Sequence, residues 1–269
     1  MKRHRSRRPK RIFPLLRKNR LALIIQTPIG ITVVVGIILI IIISILDIRY
    51  LESNSGRDIL IEAHGLLFDI FVFGVLLAYL NKFLEKKQKS ERYKEEIDDF
   101  RGWEEKEAKY RIVGNVKRLN KLGYGKINLS NCYLADANLH KVNLIKANLH
   151  EADLSGADLR FADLSYSDLS SANLEGANLK HALLRGANLK DASLKNTVLD
   201  HTSLWRASLV GVELSGASMK RTNLMETDLT HATIDKANLE EVNLDLAVMD
   251  EDVKKVINSQ QSSTKAKSL

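Results

Sequence analysis

The sequence predicts an all-β solenoid that turns a corner every five residues, preceded by an α-helical transmembrane hairpin. Three observations carry this: a long uncharged run near the start, a second apolar run behind it, and a five-residue repeat filling the C-terminal half. The order is a basic N-terminus over 1–20, the hairpin over 21–81, and a charged helical connector and N-terminal cap over 82–126. The solenoid follows over 127–251, and a short C-terminal cap and disordered tail over 252–269.

The hairpin rests on hydropathy. Ile29 to Leu46 holds eighteen residues without a charge. That is the lower limit for crossing a hydrocarbon core of roughly 30 Å at about 1.5 Å per helical residue. A buried helix of a soluble domain would show a polar face over such a length. A cleaved signal peptide is the nearer rival, but Ser44 to Asp47 offers no clear small-x-small cleavage site. The second span, Ile59 to Leu80, contains Glu62, His64 and Asp69. Asp69 falls near its middle, where a carboxylate costs about 2.5–3.5 kcal/mol on insertion scales. No Lys or Arg in either span can partner it. Its expected partner is Thr32 or a second copy of the chain, with a proton or ion pathway as the functional alternative.

Charge sets the orientation. The net charge of +8 conceals an asymmetry: ten Lys/Arg and no acid over 1–20, but 18 Asp/Glu against 11 Lys/Arg over 127–251. The loop between the spans carries only Arg49 and Arg57, whereas Lys82, Lys86, Lys87, Lys89, Arg92 and Lys94 follow the second span. The positive-inside rule then places both termini and the solenoid in the cytoplasm. The basic start beside an apolar run favours anionic membrane lipid over nucleic acid as a partner. Cys132 is the only cysteine, so no intrachain disulfide forms.

In the connector, Tyr93, Ile97 and Phe100 make one apolar stripe and Gly102 ends it. Ile112, Val116 and Leu119 make a second, stopped by Gly123 and Gly125. This second helix is expected over the open end of the solenoid, since an exposed coil invites edge pairing.

Every fifth residue from Leu129 to Met249 is Leu, Met or Ile, twenty-five times without a slip. Two residues earlier the side chain is small, Ala at fifteen positions, and between them Asn or Asp dominates. On an α-helix successive leucines would land about 140° apart, and on a flat strand they would alternate faces. The period works only if the chain turns a corner each time, with Leu and the small residue inside. Asn or Asp then bonds backbone at the turn, and the two residues after Leu face water.

Segments such as Ala152-Asp153-Leu154-Ser155-Gly156 and Ala177-Asn178-Leu179-Lys180-His181 resemble the A(D/N)LXX unit of the pentapeptide-repeat family. The resemblance covers about 125 residues. It implies a right-handed quadrilateral β-helix with four pentads per coil. Leu183, Val198 and Glu213 depart from it at the Asn/Asp position. Arg92 to Trp103 is similar to segments preceding such arrays in bacterial membrane proteins, which points to a bacterial inner membrane. Twenty-five pentads make about six coils, a rod roughly 30 Å tall.

With four pentads per coil, residues twenty apart stack, and the outer surface sorts into faces. One gathers Ile145, Tyr166, Leu183, Trp205, Met225 and Leu246, a candidate interaction face. The adjacent one gathers Lys141, Arg160, Lys180, His181, His201, Lys220 and Arg221, a candidate basic face, with His140 beside it. No phosphate-cradling glycine loop, HExxH or metal-ligand spacing of histidines occurs. No catalysis and no cofactor are predicted. The leading function is a membrane-tethered scaffold with a protein partner or self-association. A DNA mimic acting on a topoisomerase, known in the family, is the alternative, but −7 along the rod is thin beside duplex charge density.

Overall fold

The structure is a computed structural model that describes residues 34–38, 41, 42, 45 and 54–267, with side chains over 65–259 in the continuous part. The N-terminal basic segment and most of the first expected span lie outside the described residues. The chain divides into two compact units, Met1–Lys86 and Lys87–Leu269. Besides the helical residues 34–38, 41, 42 and 45, the described residues hold three longer helices: α1 (Asn54–Asp99), α2 (Lys106–Lys121) and α3 (Glu251–Lys267).

Helix α1 crosses the expected boundary between hairpin and connector at 81/82 without ending there, and stops before Gly102, whose φ is +77°. Among the described residues, the helix over Gly65–Asp99 is the one long and apolar enough to cross a membrane, and none of its apolar window is buried. In the first unit, Leu67, Phe71, Gly74, Val75 and Ala78 are partly covered. Their spacing traces one face of α1. Gly36 is buried, and a Cβ there would lie 2.1 Å from the Phe71 ring. The two apolar segments therefore approach at a residue without a side chain.

In the second unit, 127–249 forms the repeat. Twenty-one parallel bridges pair each Asn/Asp-position residue with the one twenty further on, from Asn128↔Asn148 to Asp228↔Val248. Each side contributes a single bridging residue. The ladder runs through both neighbours of that residue, as in Leu154 N–H donating to Asn173 O (2.7 Å) and Asn173 N–H to Ala152 O (3.0 Å). The inward leucines, among them Leu154, Leu174 and Leu194, are fully buried with the small residues.

The corner has a geometry that five-residue spacing alone does not reveal. The residue two after Leu has φ between +54° and +73° at all twenty-four positions from Asn131 to Leu246. The next N–H donates back to the Leu carbonyl, as Ala157 N to Leu154 O at 3.0 Å. A positive φ at the third residue of such a closed turn is what a type II turn requires. The Asn or Asp before Leu accepts the N–H two residues on, as Asp153 Oδ1 does from Ser155 (3.0 Å). Leu183, Val198 and Glu213 keep their bridges without an Asn or Asp acceptor.

Both ends of the array are covered. Helix α2 buries Ala108, Ile112, Val113, Val116 and Leu119, and the larger of these pack with Ile127 and Leu129 in the core. The Asn120 side chain accepts from Asn143 N–H (2.8 Å) and donates to Asn143 O (2.7 Å), standing in for the strand a preceding coil would supply. Gly123, at φ +87°, turns the chain out of α2, with Tyr124 N–H reaching Leu119 O and Gly123 N–H reaching Asn120 O. This is the Schellman pattern, and it favours glycine. At the other end, α3 occupies the segment expected to hold a short C-terminal cap and a disordered tail. Val253 and Ile257, one helical turn apart, are buried in the core, and Glu251 and Asp252 suit the helix N-terminus.

Candidate functional site on the outer faces

The twenty-residue register places each outward residue. Ile145, Trp205 and Met225 share one column, interrupted by Ser165 and Arg185 and followed by Asp245. Tyr166 and Leu246 lie in the neighbouring corner column with Gly186, Arg206 and Glu226, and Leu183 lies in the bridging column of the same side. The apolar residues thus share a side without forming an unbroken strip. Trp205 is half-buried: the Arg206 guanidinium lies 4.5 Å from its ring centroid, and its Nε1–H donates to Glu226 Oε1 (3.2 Å). Arg206 also pairs with Glu226 at 2.6 Å, which lowers the Glu226 pKa. Tyr166 and Leu246 are exposed.

The basic face contains an element that charge alone does not disclose. Lys141, Phe161, His181, His201, Arg221 and Glu241 occupy one corner column, twenty residues apart. The Phe161 and His181 rings stack at 4.9 Å, and the His181 and His201 rings at 4.8 Å, with planes within 19°. His140 meets Phe161 edge-on at 5.6 Å, and Lys141 Nζ sits 5.7 Å from the Phe161 centroid. Phe161 was discoverable from its twenty-residue register with His181, but a reading by charge passes over it. Several basic residues are neutralised locally: Arg160 by Asp158 (2.8 Å), Lys220 by Glu240 (2.7 Å) and Arg221 by Glu241 (2.7 Å). Hydrogen bonds from these arginines pull the Asp158 and Glu241 carboxyls below their usual range. Lys180 joins this face without an ion pair among the described residues.

A third feature is an open cleft between α1 and α2 lined by Glu96, Lys106, Glu107, Tyr110, Arg111 and Arg118. Arg111 bridges Glu96 and Glu107, so its charge is satisfied within the cleft wall. Among the described residues no cluster of three or more His, Cys, Asp or Glu could hold a metal ion. Asp69, in the other unit, is exposed on α1.

Comparison with known proteins follows the repeat. Residues 126–160, 152–191, 167–206, 187–224 and 207–245 match the model for pentapeptide repeats, in eight copies. Among proteins of curated function none matches the chain. A pentapeptide repeat protein of the Arabidopsis thaliana thylakoid lumen is 25% identical over 39% of this chain and 75% of its own, with a TM-score of 0.38. HetL of the cyanobacterium Nostoc, involved in heterocyst differentiation regulation, is 28% identical over 47% and 73%, with a TM-score of 0.24. QnrB1, a plasmid-mediated fluoroquinolone resistance protein, is 18% identical over 52% and 84%, with a TM-score of 0.23.

Proposed function

The chain belongs to the pentapeptide-repeat family through residues 126–245, and on that premise we propose that it is a membrane-tethered, non-catalytic scaffold that binds a protein partner on its solenoid. The observation that carries the reading is the bare apolar surface of α1. Leu66, Phe68, Ile70, Val72, Phe73, Leu76, Leu77, Leu80, Phe83 and Leu84 are all exposed on one helix. In water such a surface would be an aggregation site, and in lipid it needs no cover.

The finer reading is a hairpin in a bacterial inner membrane, with termini and solenoid in the cytoplasm. It is supported by the seat of Gly36 on Phe71 and by the six basic residues from Lys82 to Lys94. A right-handed, four-sided coil fits bridges at twenty-residue spacing with a corner every five residues. The partner surface is assigned to the Trp205 side and the adjoining Phe161–His181–His201 ladder. DNA mimicry draws little support from the outer acids. Glu213, Glu226, Glu240 and Glu241 are each paired with a Lys or Arg.

The test combines carbonate washing of membranes with photoreactive residues at positions 205 and 161. Retention in the pellet with crosslinks to a discrete protein is expected. Release by carbonate would remove the tether, and a retained chain giving no crosslink from either position would remove the scaffold.

A further inference from the structure

We infer that the face of α1 bearing Asp69 is the surface on which two copies of this chain meet within the membrane, each Asp69 carboxyl bonding the other. The inference rests on the membrane reading above and names the partner that one face of the anchor requires.

The first step is which way Asp69 points. The partly covered residues Leu67, Phe71, Gly74, Val75 and Ala78 mark the side of α1 turned to its own chain, where Gly36 meets Phe71. At about 100° per residue, Asp69 lies close to 180° from the centre of that stripe. It therefore faces away from the side on which Gly36 meets Phe71; Thr32, the in-chain partner expected from the sequence, lies outside the described residues. No hydrogen bond or ion pair to Asp69 forms among the described residues. A bare carboxyl facing lipid is costly, and polar residues there are normally paired.

The second step is what could pair with it. Among the exposed residues of α1, Asp69, Leu76 and Phe83 recur every seven residues, and Gly65, Val72 and Tyr79 do the same beside them. Spacings of three and four define a seam for a like helix, and a polar residue at one seam position fixes register and number of strands. Gly65 has open space around it, with nothing within 4 Å of a Cβ placed there, so a second helix can come close. In a parallel pair equivalent seam positions face each other, which brings the two Asp69 side chains together. When protonated, a carboxylic acid both donates and accepts, so two such groups complement each other across a two-fold axis. A second copy supplies that complement at the same depth and in the same orientation.

The experiment uses the full chain in phosphatidylcholine vesicles. Cys132 is buried and burial pushes its thiol up to about 11, so an introduced cysteine is the reactive one. Oxidation with copper phenanthroline is expected to give a disulfide-linked dimer from Leu76→Cys on the seam and none from Val75→Cys on the covered stripe. Energy transfer between labelled copies, titrated against lipid, is expected to show Asp69→Leu weakening association about tenfold. Asp69→Asn retains it, because a carboxamide also donates and accepts. Equal crosslinking at 75 and 76, an unchanged affinity for Asp69→Leu, or equal loss with Asn and Leu would each overturn the pairing. A monomer in vesicles whose position 76 crosslinks to another protein in native membranes would overturn it in favour of a different partner. Flotation separates the two levels: a chain that floats as a monomer refutes only the pairing, whereas a chain that does not float refutes the membrane reading beneath it.

Discussion

The inward positions and the corner positions of the solenoid recur with the same five-residue period yet obey opposite rules. Inside, identity is nearly fixed, because Leu129 to Leu229 and the small residues beside them are buried with almost no exposed surface. At the corners, conformation is fixed and identity is free: Lys, Phe, Tyr, His, Glu, Arg and Leu all adopt the same left-handed backbone. Only nine of the twenty-four corners carry Gly, Asn or Asp, the types that adopt it readily. The remainder hold a conformation costing about 1–2 kcal/mol per residue. The ladder from the next coil offsets that cost by holding the corners from Asn131 to Glu226 in place, as Tyr166 N–H is held by Arg185 O (2.8 Å). Burial selects side chains; hydrogen bonding selects backbone and leaves side chains available for other use.

The largest expected effect tests the interior half of this contrast. Leu174 sits in the middle of the stack, fully buried, with coils above and below. Leu174→Ala should destabilise the second unit by about 2–5 kcal/mol, since the flanking coils cannot collapse into the space left. Chemical denaturation of the full chain in detergent measures this. A loss below about 1 kcal/mol, the size of an ordinary surface change, would break the contrast.

A second prediction sharpens it with the one ionisable side chain among the inward positions. Burial raises the Cys132 thiol from 9.0 to about 11. The folded state therefore binds a proton that the unfolded state releases first. Stability from this group is complete below pH 9 and is lost as pH rises towards 11. Two pKa units correspond to roughly 2–3 kcal/mol at the upper end. Cys132→Ala places there the residue most common at this position, and should flatten that part of the alkaline stability profile relative to the parent. Parallel profiles would mean the thiol is already solvated.

This contrast also explains what the sequence made legible. Twenty-five Leu, Met or Ile residues at one spacing reveal a buried axis, because burial tolerates few side chains. The left-handed corners stay hidden, because Phe161, His181 and Leu246 carry no mark of positive φ. The ring ladder required both the corner and the twenty-residue register, and sorting by charge alone isolates His181 and His201 from Phe161. Helix α3 is hard to see because two apolar residues, Val253 and Ile257, make too short a stripe. Asp69 is conspicuous in sequence, but the side of α1 it occupies depends on which face meets Gly36.

The smallest expected effect probes the corners directly. Leu246 has φ of +57° and is 78% exposed, so its side chain gains little from burial to offset its conformation. Leu246→Gly relieves the left-handed cost of about 1–2 kcal/mol and adds unfolded-state entropy of about 0.5–1 kcal/mol. The net should be a stabilisation of about 0.5–1 kcal/mol. Tyr166 provides the counter-case in the same corner column. Its ring lies against Gly186, where a Cβ would come within 2.9 Å of it, so the side chain packs on the coil above. Tyr166→Gly relieves the same backbone cost but loses that contact, and should gain less than Leu246→Gly or nothing. If the two substitutions stabilise equally, corner side chains contribute no packing. If neither stabilises, the left-handed penalty is small at these corners, and freedom of identity there has a different origin.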